Sequence, residues 1–353
     1  MTPSFRSAPA YDICGIGNAL MDLEYAVDDS FLRDSDLVKG HMTLVDEDRM
    51  EALMASLADH EPRYRSGGSA ANTVFAVKGF GGRSVYSCRV ARDPVGDRFL
   101  QDMHRAGIDT IGNHGNDGKS GRCLTLITDD AERTMTTFLG VSEHLSVDDL
   151  DDAVIAESAH LYMEGYLAAS ASGCAAAVRA RELAEAERVP VNVSFSDPSM
   201  VVACRHGLER MLGNGVAQLF CNEEEALLWA GTDRLDVAAV ELGDIAPYVN
   251  ITLGARGSLV LAKRKRTVAP GQPSDIVDTT GAGDMYAGAV VHARAHGADP
   301  LDAARFANFA AAEVVSKHGA RLHGIDDYAA LKRRFRANGP WGSGEPQGRP
   351  HGE

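Results

Sequence analysis

The sequence predicts an α/β fold: a mostly parallel central sheet flanked by helices, with a small β-sheet lid. Three observations predict it. After about residue 146, short apolar strand-like runs alternate with helical runs, the pattern of parallel strands covered on both faces. The earlier strand-like runs are more amphipathic, as in a small sheet that covers a cleft. Finally, Asp278-Thr279-Thr280-Gly281-Ala282-Gly283-Asp284 runs straight into the apolar stretch Met285-Tyr286-Ala287-Gly288-Ala289-Val290-Val291, a loop opening a buried helix.

Taken in order, residues 11–17, 84–90, 123–128 and 134–139 read as strands. Residues 70–77 read as a strand, with a helical reading open. Then 171–187 is helical, 190–195 a strand, 201–212 helical, 217–221 a strand and 223–230 helical. Strands 248–253 and 258–262 follow, and helices 284–296 and 300–317 close the fold. Residues 1–10 and the Gly/Pro-rich 338–353 read as disordered ends, which leaves 11–337 as one folded unit without repeats or a long linker.

Composition narrows the function classes. With 353 residues the chain can bury a large core. A formal charge of −15 excludes a nucleic-acid or anionic-membrane partner as the leading reading, since phosphates repel such a surface. Cys14, Cys88, Cys123, Cys174, Cys204 and Cys221 form no CxxC pair, so buried free thiols in a reducing compartment are expected. Residues 1–10 lack an apolar signal-peptide core, and no apolar run reaches a membrane span. A cytoplasmic location is the expectation.

Two apparent motifs fail on their context. Gly15-Ile16-Gly17 follows a strand, but Leu20 stands where a dinucleotide fingerprint needs its third glycine. Gly118-Lys119-Ser120 resembles the end of a phosphate loop, yet Asn113 replaces the first glycine and a strand follows. The 12 histidines include no zinc-ligand spacing.

Five other segments carry chemistry. In the Asp278–Asp284 loop, Gly281, Ala282 and Gly283 let backbone amides converge at a helix start, a hole suited to phosphate. Asp284 at its mouth would repel a phosphate that is merely held. It makes sense as a base that takes a proton from an attacking hydroxyl. Gly67-Gly68-Ser69-Ala70-Ala71-Asn72 offers close backbone approach, with an amide one turn on that suits vicinal hydroxyls. Gly17-Asn18-Ala19-Leu20-Met21-Asp22 brings Asn18 and Asp22 out of an apolar strand, either as a turn or as a sugar-hydroxyl site. Asn222-Glu223-Glu224-Glu225 ends a strand where open α/β sheets bind ligands; it reads equally as an acidic first turn of a helix. Thr252-Leu253-Gly254-Ala255-Arg256-Gly257 is a further strand-to-glycine turn.

In combination these motifs resemble the ribokinase-like (PfkB) family of sugar and nucleoside kinases, over essentially the whole ordered length. One family signature runs from Gly67 through Gly81-Gly82 to Asp93-Pro94-Val95-Gly96 and Gly107-Ile108, the other from Asp278 to Gly288, with Asn222-x-x-Glu225 between them. The resemblance implies ATP as phosphoryl donor, with a lid built from about 18–65 and 120–140. It makes Asp284 the base and Gly281, Ala282 and Gly283 the anion hole. Asn222 and Glu225 would organise a magnesium ion (Mg2+), Glu225 through water. Thr252, Gly254 and Gly257 would follow the ATP phosphates and ribose, with Ala307, Asn308 and Ala311 near the adenine. Asp278, Thr280 and Gly319 match positions where the family often binds a potassium ion (K+).

Within the family the chain looks most like the adenosine-kinase branch. The matching pieces are Gly17 to Asp22, Asp29-Ser30-Phe31-Leu32, Lys39-Gly40, Arg133, Phe138-Leu139-Gly140, Glu164-Gly165-Tyr166-Leu167 and Ser194-Phe195-Ser196-Asp197. That likeness implies Asn18, Asp22, Gly67, Gly68 and Asn72 as substrate ligands around the ribose, and Leu139, Tyr166 and Phe195 as walls of the purine site. Arg133 would swing toward the phosphates on closure. The expected reaction is phosphorylation of a nucleoside 5′-hydroxyl, adenosine to AMP. Ser69-Ala70-Ala71 is a pattern shared with sugar kinases, so a ribose- or fructose-type sugar kinase is the alternative. A non-catalytic relative would be expected to lose Asp284 or a glycine of the hole, and both are intact. A small-molecule partner is expected, with the chain as monomer or homodimer.

Overall fold

Strands with no exposed face form the middle of the larger sheet. Ile13–Ile16, Ser84–Ser87 and Leu161–Glu164 are buried at every residue, which requires cover on both sides. The structure, a computed structural model, describes residues 8–130 and 132–338. Most of both ends expected to be disordered, 1–7 and 339–353, lies outside the described residues.

Among the described residues the larger sheet has nine strands. Their order is Lys265–Pro270, Gly257–Ala262, Tyr248–Thr252, Gln218–Asn222, Val191–Ser194, Leu161–Glu164, Ile13–Ile16, Ser84–Ser87 and Asp109–Ile111. Pairing is parallel from Tyr248–Thr252 to Asp109–Ile111; the two strands at the other edge are antiparallel. One core packs helices Ser69–Gly79, Ala282–Ala295, Pro300–Val315 and Ile325–Asn338 on one face, where Phe80 meets Phe306 edge-on at 4.8 Å and Tyr328 at 5.3 Å. The other core covers the opposite face with Ala171–Ala186, Arg205–Leu212, Glu223–Ala230 and Leu235–Ile245. A second sheet of five strands, ordered Met42–Leu44, Arg133–Phe138, Gly121–Ile127, Leu20–Ala26 and Arg63–Gly67, mixes parallel and antiparallel pairs.

Several elements differ from the sequence reading. Residues 70–77 are helical, within Ser69–Gly79; their β-branched residues pack inward without the period-2 alternation of a strand. The expected helix 201–212 is two, Pro198–Ala203 and Arg205–Leu212, meeting at Cys204. Helices Asp29–Asp34, Glu47–Ser56, Pro94–Arg105, Asp152–Ala156, Leu235–Ile245 and Ile325–Asn338 add to those expected. Their starts are signalled locally in four cases: Asp28, Asp46, Asp93 and Asp151 each accept a first-turn backbone N–H, as N-caps do. Asn338 therefore closes a helix. The rejected Gly118-Lys119-Ser120 indeed leads into a strand, Gly121–Ile127.

Candidate active site

The C-terminal ends of the parallel strands face the second sheet across a cavity of about 810 Å³. Glu164, Ser194, Asn222 and Thr252 line it from the strand ends, and Leu20, Asp22, Glu24, Thr125 and Met135 from the second sheet. Strand C-termini are where open α/β sheets hold ligands.

Asp284 sits in the first turn of helix Ala282–Ala295, whose N-cap Gly281 adopts φ +74°. A side chain there would be strained in the left-handed region and would run into Ala320. Thr280, Gly281, Ala282 and Gly283 all line the cavity; the Thr280 N–H is taken by Asp278 and the Ala282 N–H by Thr279, which leaves the Gly281 and Gly283 amides as donors for a ligand. Two hydroxyl and amide donors fix the carboxylate: Ser69 Oγ donates to Oδ1 at 2.6 Å and Asn72 Nδ2 to Oδ2 at 2.9 Å. Both donors come from helix Ser69–Gly79, which starts at Gly68 with φ +99°. Burial pushes the Asp284 carboxyl up to about 6, while Ser69, Asn72 and the Arg321 charge pull it down. A base of that strength is ionised at neutral pH yet can hold a proton in passing.

Opposite stands Asp22, paired in register with Arg65 and Cys123 of its neighbouring strands. Its carboxylate packs on Gly67, where any side chain would collide with it. Burial raises Asp22 to about 7, against the charge of Arg321; Glu24 raises it further and Arg133 lowers it. Asn18, Gly68 and Asn72 line the same end of the cavity. Glu164 ties this end together: it accepts from the backbone N–H of Asn18 at 2.8 Å and of Ala70 at 2.7 Å. Burial raises Glu164 to about 7 despite these bonds.

Arg133 is held by two carboxylates, Glu24 at 3.1 Å and Asp278 at 3.1 Å. Asp278 in turn accepts from the Thr280 N–H at 2.9 Å and the Gly319 N–H at 2.6 Å. Its carboxylate thus knits the loop before the helix, and the described residues place Asp278 and Gly319 behind the cavity wall rather than on it.

Asn222 and Glu225 form a reciprocal cap on helix Glu223–Ala230. Asn222 Oδ1 accepts from the Glu225 N–H at 2.8 Å, and Glu225 accepts from the Asn222 N–H at 2.9 Å and Nδ2 at 2.8 Å. Both line the cavity, and Asn222 lies in register with Thr252 on the adjacent strand. Burial raises Glu225 to about 7. With both of its oxygens engaged by Asn222, Glu225 fits a metal ion only through water. Among the described residues no group of three or more His, Cys, Asp or Glu side chains could hold a metal by itself.

Some expected site residues are elsewhere. Phe195 is fully buried, stacked on Trp229 at 4.7 Å and 23°, so it is core and not a purine wall. Leu139 and Tyr166 do line the cavity, joined by Leu20, Met200 and Phe220. Gly257 lies outside the lining, while Thr252 and Gly254 are on it. Ala307 and Asn308 are buried, and Asn308 Nδ2 donates to the carbonyls of Ala269 at 2.9 Å and Pro270 at 3.1 Å. With Ala311 they brace the sheet edge beside the cavity and do not line it. Ser69, Glu24, Arg65 and Arg321 also line the cavity, beyond the residues the sequence singles out. Ser69 lies inside the Gly67–Asn72 motif; an isolated arginine 37 positions beyond Asp284 gives no signal of its own.

Comparison with known proteins accords with this geometry. The model of the pfkB family of carbohydrate kinases matches residues 37–326. The adenosine kinase of Saccharomyces cerevisiae is 29% identical over 305 residues, 80% of this chain and 88% of that protein. The guanosine-inosine kinase of Escherichia coli is 26% identical over 254 residues, 69% of this chain and 58% of that protein. The crystal structure of adenosine kinase from Sinorhizobium meliloti superposes with a TM-score of 0.84 at 31% identity, covering 92% of this chain and 99% of the other. The chain belongs to the pfkB family of carbohydrate kinases. It is a kinase of the nucleoside and sugar type, a phosphotransferase with an alcohol group as acceptor, and these relatives imply ATP use.

Proposed function

We propose that this kinase phosphorylates the 5′-hydroxyl of a nucleoside, adenosine before other bases, by in-line transfer from ATP with Asp284 as the base. The observation that carries the reading is the placement of Asp284. Its carboxylate, bonded to Ser69 and Asn72, stands between the amide-lined helix start and the end of the cavity that holds Asp22.

In this reading Asp22 and Asn72 grip the ribose hydroxyls, one accepting and one donating. Leu20, Leu139, Tyr166 and Met200 give a flat base apolar walls, which a plain sugar would not need. Asp284 takes the hydroxyl proton as the oxygen attacks. The amides of Gly281 and Gly283 face the charge that develops on the transferring group. Magnesium supplies neutralisation of the ATP phosphates when bound, and Asn222 and Glu225 would meet its water shell. Potassium at Asp278, Thr280 and Gly319 remains a proposal carried by family likeness, since here the Asp278 carboxylate already bridges Thr280 and Gly319. The second sheet, from Leu20–Ala26, Met42–Leu44, Arg63–Gly67, Gly121–Ile127 and Arg133–Phe138, would serve as the lid.

The test is a panel of adenosine, guanosine, inosine, cytidine, ribose and fructose with ATP, reading ADP release. Adenosine should give the largest kcat/KM. Turnover of ribose or fructose with none of any nucleoside would overturn the reading.

A further inference from the structure

We infer that Arg321 is a positioning residue that fixes the orientation of the Asn72 amide and, through it, the carboxylate of Asp284. The inference rests on the kinase reading above. Arg321 follows Ala320, the residue packed against the Gly281 cap, so it hangs from the same loop that seats the helix start. Its guanidinium is 5% exposed and lies over the Phe75 ring at 4.4 Å. Nε donates to Asn72 Oδ1 at 2.6 Å and Nη1 donates to Ser66 Oγ at 3.0 Å. The Ser66 hydroxyl in turn donates a hydrogen bond to Asp102 Oδ2.

These bonds leave Asn72 no choice of face. A guanidinium only donates, so the amide atom beside it must be the oxygen. The NH2 group is then turned to Asp284, where it donates to Oδ2 at 2.9 Å. Flipping the amide would set NH2 against a guanidinium and a carbonyl against a carboxylate, two repulsions in a site shielded from water. A free asparagine has no such preference. The fixed orientation also settles what the substrate meets: Asn72 offers it an N–H and Asp22 offers the acceptor. A hydroxyl seated between them accepts from one and donates to the other.

Lysine cannot replace this arrangement, because an ammonium lacks the planar fork that reaches Asn72 and Ser66 together. The experiment compares Arg321→Lys, Arg321→Met, Asn72→Ala and the Arg321→Met/Asn72→Ala double variant, each by kcat, KM for acceptor, KM for ATP and Tm. Arg321→Met is expected to lower kcat on the order of 100-fold, with KM for ATP unchanged. At a pH well above 6, where Asp284 stays ionised without the arginine, the double variant should be little slower than Asn72→Ala alone, because the arginine then acts mainly through the amide. Losses that multiply in the double variant, or an Arg321→Lys enzyme with normal kcat, would overturn the role.

A second measurement needs no turnover, so it separates this inference from the kinase reading. The Asn72 side-chain NH2 pair in a 15N-correlated NMR spectrum is assigned by its loss in Asn72→Ala. In the parent protein its two proton signals should be widely split, and in Arg321→Met they should collapse toward the values of a solvated amide. An unchanged pair in a folded Arg321→Met protein overturns the inference. Absence of activity in the parent toward every nucleoside and sugar strikes only the kinase reading.

Discussion

The two walls of the cavity are built by different means. The phosphate side is a backbone device: seven consecutive residues, Asp278 to Asp284, turn amides inward at a helix start. The acceptor side is a side-chain device: Asp22, Asn72, Arg133, Glu164 and Arg321 come from five separate elements or loops, and bonds such as Arg321 to Asn72, Arg133 to Glu24 and the Ala70 N–H to Glu164 fix them in place. The first needs glycine and a helix, and its chemistry is local. The second works only once distant strands and helices are in register. Asp284 belongs to both, since its position comes from the helix and its ionisation from Ser69, Asn72 and Arg321.

Asp284→Asn should break both sides at once. kcat is expected to fall by about 10³-fold or more, the size of a lost general base. The same change should stabilise the fold at high pH. The Asp284 carboxyl is raised from 3.8 to about 6 by burial, so its folded form binds protons more tightly than its unfolded form. Its favourable contribution is complete below pH 3.8 and is lost as pH rises through about 6. At about pH 8 the parent carries a cost of up to about 3 kcal/mol that the asparagine variant avoids. The Tm of the variant relative to the parent should therefore rise between about pH 4 and about pH 8. For the parent, kcat/KM should decline as pH falls through about 6, when the base is protonated. A flat profile with a flat Tm difference would mean that Asp284 is not set by its surroundings.

Arg133→Met tests the side-chain wall and its tie to the phosphate-side loop. It leaves Glu24 and Asp278, 9% and 4% exposed at their side chains, without their shared cation. The expected loss is about 3 kcal/mol of stability, by denaturant unfolding. The same argument weighs against a long swing of Arg133 toward the phosphates, since both carboxylates would be stranded. Retained stability in the variant would reopen that motion.

Gly283→Ala tests the backbone wall alone and has the smallest expected effect. A Cβ there meets nothing within 4 Å, so Tm should not change. The methyl stands at the mouth of the amide cradle, and kcat should fall about 10-fold or more as it crowds the transferring group. Unaltered kcat would place the phosphate elsewhere.

Legibility in the sequence followed the same division. Gly281, Ala282, Gly283 and Asp284 were readable as a unit because helix starts and glycine turns are written in adjacent residues. Strands buried on both faces, such as 190–195 and 217–221, were readable because an apolar run records its cover. Phe195 was not: an aromatic at a strand end can face the cavity or the core, and only its stack on Trp229 decides. Helix Ser69–Gly79 was ambiguous because its Ala, Val and Phe residues are buried nearly all round, which erases the helical period. Six further helices escape the sequence reading, although Asp28, Asp46, Asp93 and Asp151 cap four of them, because a capping aspartate also begins ordinary turns.

By itself the sequence determined the α/β class, the order of motifs and a carboxylate at an amide-lined helix start. Those features depend on neighbours along the chain. The tertiary structure decided which side chains share the cavity: Arg321 reaching Asn72 across 249 positions and Arg133 joining Glu24 to Asp278. Such contacts depend on sheet register and helix packing, which place residues within 3 Å of each other that no local pattern connects.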